Sequence, residues 1–206
     1  MPRYSNDSLD HPRRGRVLVV FGPSGVGKST VLDELKARVP FRFSVSATTR
    51  PARPGEIDGE DYHFISGPRF EELIEQGEFL EWAEYSGNLY GTLRSEVEEP
   101  LAAGEDVVLD IEIQGVMQVK RTLPEAVFVY VAPPDEAELE RRLRGRGDTS
   151  DVDRRLAIAR AEADAAAGLF DHRVVNDDVE RAVSHLVGIL RGAAGPAADD
   201  EENPAP

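Results

Sequence analysis

Gly22, Gly27, Lys28 and Ser29 stand at the fixed spacing G-x-x-x-x-G-K-[ST] within Gly22-Pro23-Ser24-Gly25-Val26-Gly27-Lys28-Ser29-Thr30. Glycines at those positions let main-chain N–H groups close around phosphate oxygens. The lysine reaches the terminal phosphates, and the hydroxyl after it can hold a magnesium ion. Such a loop needs a strand before it and a helix after it. Val17-Leu18-Val19-Val20-Phe21 is a continuous apolar run, as expected of a parallel strand buried on both faces. Val31, Leu32, Leu35 and Val39 recur at helical spacing. The loop therefore opens a helix N-terminus, where unpaired N–H groups and the helix dipole favour an anion. The bland alternative is a glycine-rich turn before a helix. Asp110 ends a second apolar run, Val107 to Ile111, the usual place for an acidic residue that holds magnesium through water. Its competing reading is a strand-end Asp capping the next turn. These residues point to a nucleoside triphosphate and leave the second substrate open.

The whole chain narrows the classes. With 206 residues, 40% hydrophobic and 31% charged, it reads as one globular domain with room for inserted subdomains. A net charge of −15 argues against a broad nucleic-acid footprint. There is no cysteine, hence no disulfide, thiol nucleophile or thiolate metal site. His11, His63, His172 and His185 are scattered, and no Ser/His/Asp set or histidine metal cluster stands out. No apolar run reaches the length of a membrane span, and the N-terminus lacks a signal-peptide core, so a soluble cytoplasmic protein is expected.

In chain order, residues 1–15 read as a mobile polar tail. Phe41 to Ser46 alternates and is expected to be a second strand. Thr48 to Glu56 carries Pro51, Pro54 and Gly55 and excludes regular helix or central strand. Strand-like fragments Tyr62–Ile65 and Glu78–Tyr85, a short helix around Phe70–Ile74, and turn residues Gly77, Gly87 and Asn88 follow. The stretch reads as a small β-rich insertion. The α/β rhythm then resumes: a helix near Arg94–Ala103, strands at Val107–Ile111 and Val127–Val131, and an arginine-rich helix bearing Leu139 and Leu143. An Ala-rich helix to about Ala167, a strand at Arg173–Asn176 and a last helix through Leu190 complete it. The expected fold class is α/β, a parallel doubly wound P-loop core sheet with a β-rich insertion and a short helical lid. The expected division is a domain over 16–192 with core 16–47, 93–140 and 168–192, insertion 48–92 and lid 141–167. An acidic Ala/Pro tail, 193–206, is expected to be disordered.

A resemblance gathers these parts. Ser44-Val45-Ser46-Ala47-Thr48-Thr49-Arg50-Pro51, Gly55-Glu56, Gly59-Glu60-Asp61-Tyr62, Phe79-Leu80-Glu81-Trp82-Ala83, Tyr90-Gly91-Thr92 and Leu109-Asp110-Ile111-Glu112-Ile113-Gln114-Gly115 are similar to the motifs of bacterial guanylate kinases. The similarity runs from about residue 16 to 190. It implies transfer of the γ-phosphoryl group of Mg-ATP to GMP or dGMP, giving ADP and GDP, in purine nucleotide metabolism. ATP would lie on Gly22 to Thr30 and beside Asn176, with magnesium at Ser29 and Asp110. Ser46, Arg50, Arg53, Tyr62, Glu81, Tyr90, Thr92 and Glu112 match the GMP-binding positions. Lys28, Arg50, Arg142, Arg146 and Arg155 match those that neutralise the reacting phosphates.

The chemistry suits those assignments. Guanidinium forks bind phosphate oxygens bidentately and phenol hydroxyls add neutral donors. A carboxylate suits guanine, whose N1–H and 2-amino group are adjacent donors, whereas adenine has an acceptor at N1. Each assignment has a plain competitor: surface charge for Arg50 and Arg53, a solvent-facing strand residue for Glu81, and helix pairs with Glu136, Glu138 and Glu140 for the lid arginines. Two departures stand out. Glu112 occupies a position where the family more often has Asp, and the lid between Gly147 and Arg154 is about two residues short. The other readings are a non-catalytic guanylate-kinase-like binding module and a different small-molecule P-loop kinase. Oligomeric state stays open.

Overall fold

The computed structural model describes residues 15–145 and 152–192. Both tails, Arg146 and the shortened lid segment fall wholly or largely outside those residues. In chain order the elements are β1 (Val17–Phe21), α1 (Lys28–Arg38), β2 (Arg42–Phe43), β3 (Ala47–Thr48), β4 (His63–Phe64), α2 (Gly67–Glu75), β5 (Phe79–Tyr85), β6 (Asn88–Leu93), α3 (Ser95–Ala102), β7 (Val107–Asp110), α4 (Ile113–Thr122), β8 (Val127–Ala132), α5 (Glu136–Arg144), α6 (Val152–Ala166), β9 (His172–Val175) and α7 (Val179–Leu190).

A five-stranded parallel sheet in the order β2-β7-β1-β8-β9 carries the core. Its central strand is apolar at every position because alternate side chains enter two separate layers. Val17, Val19 and Phe21 pack with Val97 and Leu101 of α3 and Val116 and Val119 of α4. Leu18 and Val20 pack with Val31 and Leu35 of α1 and Val183, Leu186 and Ile189 of α7. The arrangement is the doubly wound sheet that strand–helix alternation predicts. α5 and α6 share a small cluster of their own, Leu139, Leu143, Val152, Leu156 and Ala159.

The second sheet has four strands in the order β4-β3-β6-β5, with β3–β6 and β5–β6 antiparallel. Ser86 and Gly87 both take positive φ, 52° and 77°, the geometry of a tight hairpin turn between β5 and β6. Ser66 caps α2, its hydroxyl accepting from the Arg69 N–H, and Phe70 of the helix stacks on Phe79 of β5 at 4.3 Å between ring centroids.

The strand expected over Phe41–Ser46 is paired only at Arg42 and Phe43. Ser44 still donates to the Val108 carbonyl at 3.0 Å, after which the chain leaves the core sheet and pairs in the second one. Ala47 and Thr48 pair there with β4 in parallel and with β6 antiparallel. The last strand lies one residue earlier than its expected Arg173–Asn176 span. Among the described residues no helix is long and apolar enough to cross a membrane.

Candidate active site

The phosphate loop runs from the C-terminal end of β1 into α1. Gly27 caps that helix with φ 97°, and a Cβ there would meet Asn176 Nδ2 at 2.6 Å, so a side chain is excluded twice over. The first residues of α1 are Lys28, Ser29 and Thr30, whose N–H groups have no helical partner. Val26 is fully buried beneath the loop, and its carbonyl accepts from Asn176 Nδ2 and from Arg142 Nη1, each at 2.8 Å. Arg142 Nη2 donates to the Asn176 carbonyl at 2.8 Å and Nε to Glu138. Arg142 thus buttresses the loop through main-chain carbonyls and pairs with one of the acidic partners that helix spacing offered. Arg155 lies against the loop from α6, its Nη2 3.2 Å from Ser24 Oγ.

Lys28 folds back to donate to the Gly22 carbonyl at 2.8 Å, and its Nζ is 3.9 Å from Asp110 Oδ1 at the end of β7. Burial pushes the Asp110 carboxyl up to about 6. Lys28 opposes that shift and Glu112 adds to it. The Ser29 hydroxyl and Asp110 carboxylate are hard oxygen donors of the kind magnesium takes. Among the described residues no group of three or more His, Cys, Asp or Glu side chains could hold a metal. A magnesium ion here would draw its other ligands from phosphates and water, as it commonly does.

A cavity of about 360 Å³ opens beside Lys28 and Asp110, and its remaining wall is built by the second sheet and α4. Ser46, Arg50, Arg53, Tyr62, Glu81, Tyr90 and Glu112 all line it. Arg50 Cζ lies 5.3 Å from the Tyr62 ring centre and 5.7 Å from that of Phe64. Tyr62 and Tyr90 meet edge to face at 6.0 Å, and burial raises the Tyr62 hydroxyl pKa. At the other end Glu81 is only 6% exposed. Burial raises its pKa, opposed by the Thr92 hydroxyl, which donates to Oε1 at 2.7 Å.

Structure separates residues that the motifs grouped. Thr92 is 1% exposed and is absent from the cavity wall; it touches Glu81 instead. Asn176 and Arg142 brace the phosphate loop, and Arg146 lies outside the described residues. Gly115 on α4 was no candidate, yet a Cβ there would stand 2.5 Å from Glu81 Oε2. A glycine inside a helix, where it costs stability, was the available signal. Gln118, one turn on, accepts from the Trp82 N–H at 3.3 Å and donates to its carbonyl at 2.7 Å, tying the edge of β5 to the core.

A parallel sheet whose central strand feeds a lysine-bearing phosphate loop, with a polar cavity beside it, defines a P-loop kinase. A sequence model of the guanylate kinase family matches residues 14–193, and the chain belongs to that family. A guanylate kinase from Rubrobacter xylanophilus is 53% identical over 182 residues, covering 87% of this chain and 95% of that protein. One from Mycobacterium bovis is 52% identical over 185 residues, covering 87% and 88%. The crystal structure of guanylate kinase from Anaplasma phagocytophilum superposes with a TM-score of 0.69 at 33% identity, covering 86% of this chain and 85% of that one.

Proposed function

We infer that this chain catalyses the reaction of its family, transfer of the γ-phosphoryl group of ATP to the phosphate of GMP or dGMP. The observation that supports the reading is one cavity lined by Arg50 and Arg53, by Glu81 and by Lys28 of the phosphate loop. On this reading the two arginines would take the acceptor phosphate and Glu81 the guanine.

The acceptor oxygen belongs to a phosphate already ionised at neutral pH, so no general base is needed. The work left to the protein is alignment and neutralisation of charge. Lys28 and the N–H groups opening α1 hold the donor phosphates; Arg155, already against Ser24, supplies a further cation from the lid. Arg50 and Arg53 orient the acceptor with Tyr62 and Tyr90. Ionised Glu81, held by Thr92, accepts from guanine N1–H and the 2-amino group, with Ser46 and Glu112 as further contacts. Ser29 and Asp110 would hold magnesium, which would supply positive charge to offset that of the donor phosphates. Closing the insertion and lid would exclude water and suppress ATP hydrolysis. On this reading the reaction takes place in the cytoplasm, with which a chain without cysteine is compatible.

ADP release with GMP, AMP, UMP and CMP as acceptors is the direct test. Turnover confined to GMP and dGMP is expected, and equal turnover with AMP contradicts the reading. ATP binding without phosphoryl transfer to any acceptor would favour the non-catalytic binding module.

A further inference from the structure

Glu56 has no part in the reaction as derived, yet its carboxylate makes three hydrogen bonds beside the acceptor cavity. Oε1 accepts from Arg50 Nη2 at 2.9 Å, and Oε2 accepts from Arg50 Nη1 at 2.9 Å and from the Arg53 main-chain N–H at 2.7 Å. Both side chains are shielded, Arg50 13% and Glu56 19% exposed. Arg50 holds the Glu56 carboxyl below its ordinary pKa, helped by the Arg53 N–H, so it stays an anion. An anion at this place invites two opposed explanations. Glu56 is either a stand-in that an incoming phosphate must displace or a fixed brace.

The donor inventory favours the brace. A guanidinium has five N–H groups in a rigid plane. Arg50 Nη1 donates to Glu56 and to the Pro51 carbonyl at 2.8 Å, and Nη2 gives one hydrogen to Glu56. The Nε–H and the second Nη2–H share the remaining edge, a geometry that grips one oxyanion with two parallel bonds, and the Tyr90 hydroxyl lies within reach of the same guanidinium. Glu56 is also locked by its own turn. Its N–H donates to the Arg53 carbonyl at 3.1 Å while its side chain accepts from the Arg53 N–H. The turn closes through Gly55 at φ 93°, a conformation other residues adopt poorly. A carboxylate fixed from both sides is badly suited to swing away. With Arg50 paired to Glu56, the net positive charge in this corner is that of Arg53, whose charge also helps lower the Glu56 pKa.

We propose that Glu56 is a positioning residue for the acceptor phosphate: it occupies the end-on edge of the Arg50 guanidinium and so presents the Nε–Nη2 edge to GMP. Arg50 then supplies direction and Arg53 supplies charge. The inference rests on the reading of the acceptor as a nucleoside monophosphate.

Glu56→Ala and Glu56→Gln in the full chain test it through affinities for GMP and guanosine and through steady-state kinetics for both substrates. The alanine variant should weaken GMP about 10- to 100-fold, the size expected when a charged hydrogen-bonded partner is removed. The affinity for guanosine and the KM for ATP should stay unchanged. Glutamine keeps one acceptor oxygen and should recover part of the loss. GMP bound by Glu56→Ala as tightly as by the wild type, or more tightly, overturns the brace in favour of the stand-in. Parallel loss of guanosine and GMP binding in both variants overturns it in favour of a role in folding the loop alone. A wild-type chain that binds guanosine and GMP equally well has no phosphate clamp, and that outcome removes the acceptor reading as well.

Discussion

On the proposed function the phosphate loop and the insertion both receive phosphate, and they would do so by different means. In the loop the donors are main-chain N–H groups at the start of α1. Glycine geometry fixes them, and Asn176 and Arg142 brace the Val26 carbonyl beneath them. Few of the side chains there choose a ligand. In the insertion the donors are side-chain ends, Arg50, Arg53, Tyr62 and Tyr90, held in place by other side chains such as Glu56 and Phe64. Main-chain cradles grip any phosphate; side-chain cradles can be aimed, and an aimed site can discriminate. That division separates a donor half shared among many enzymes from an acceptor half that carries identity.

The contrast can be broken at either half. The largest effect is expected from Lys28→Met, which removes the one side-chain cation of the donor loop. Turnover should fall about 10²- to 10³-fold, as for loss of one preorganised transition-state donor, with GMP affinity nearly intact. Equal loss of GMP affinity would mean that the two halves are not separate. Gly115→Ala should act on the acceptor half alone. The added Cβ would press on Glu81 Oε2, raising the KM for GMP roughly 10-fold through lost alignment while the KM for ATP holds.

A smaller effect lies in pH. Burial raises the Glu81 pKa, so the folded state takes up a proton more readily than an ordinary carboxylate as pH falls. The protonated form no longer offers guanine two acceptor oxygens. The preference for GMP over AMP should therefore decline toward acid pH. Taking the ratio cancels the titration of the nucleotide phosphates, which the two acceptors share. A ratio flat with pH in the wild type would count against ionised Glu81 as the reader of the base.

The sequence was informative wherever function lies in contiguous residues. Gly22 to Thr30 reveals the loop without help because its geometry is local, and β1, entirely apolar, announces a strand buried on both faces. Most of the side chains that the insertion gives to the cavity wall were legible in a run of motifs from Ser46 to Thr92. Some of the bonds among them were not, since they join residues far apart in the chain. Thr92 reaches back to Glu81 across the hairpin, and Gly115 makes room for Glu81 from another helix. Arg142 looked like a lid residue by position; its bonds to the Val26 and Asn176 carbonyls exist only once the sheet brings three distant segments together. The second strand was overextended for a related reason. Ser46 continues the alternation, but the chain has already left one sheet for the other.

The central claim is that the insertion names the acceptor through Glu81. Its most direct measurement is the ratio of kcat/KM for GMP to that for AMP, in the wild type and in Glu81→Gln. A site built to pair buried hydrogen-bonding groups should favour GMP by about 10⁴-fold. The glutamine variant should lose at least about 100-fold of that preference, because its amide sets a donor against one of the two guanine donors. An unchanged ratio in Glu81→Gln would contradict the account.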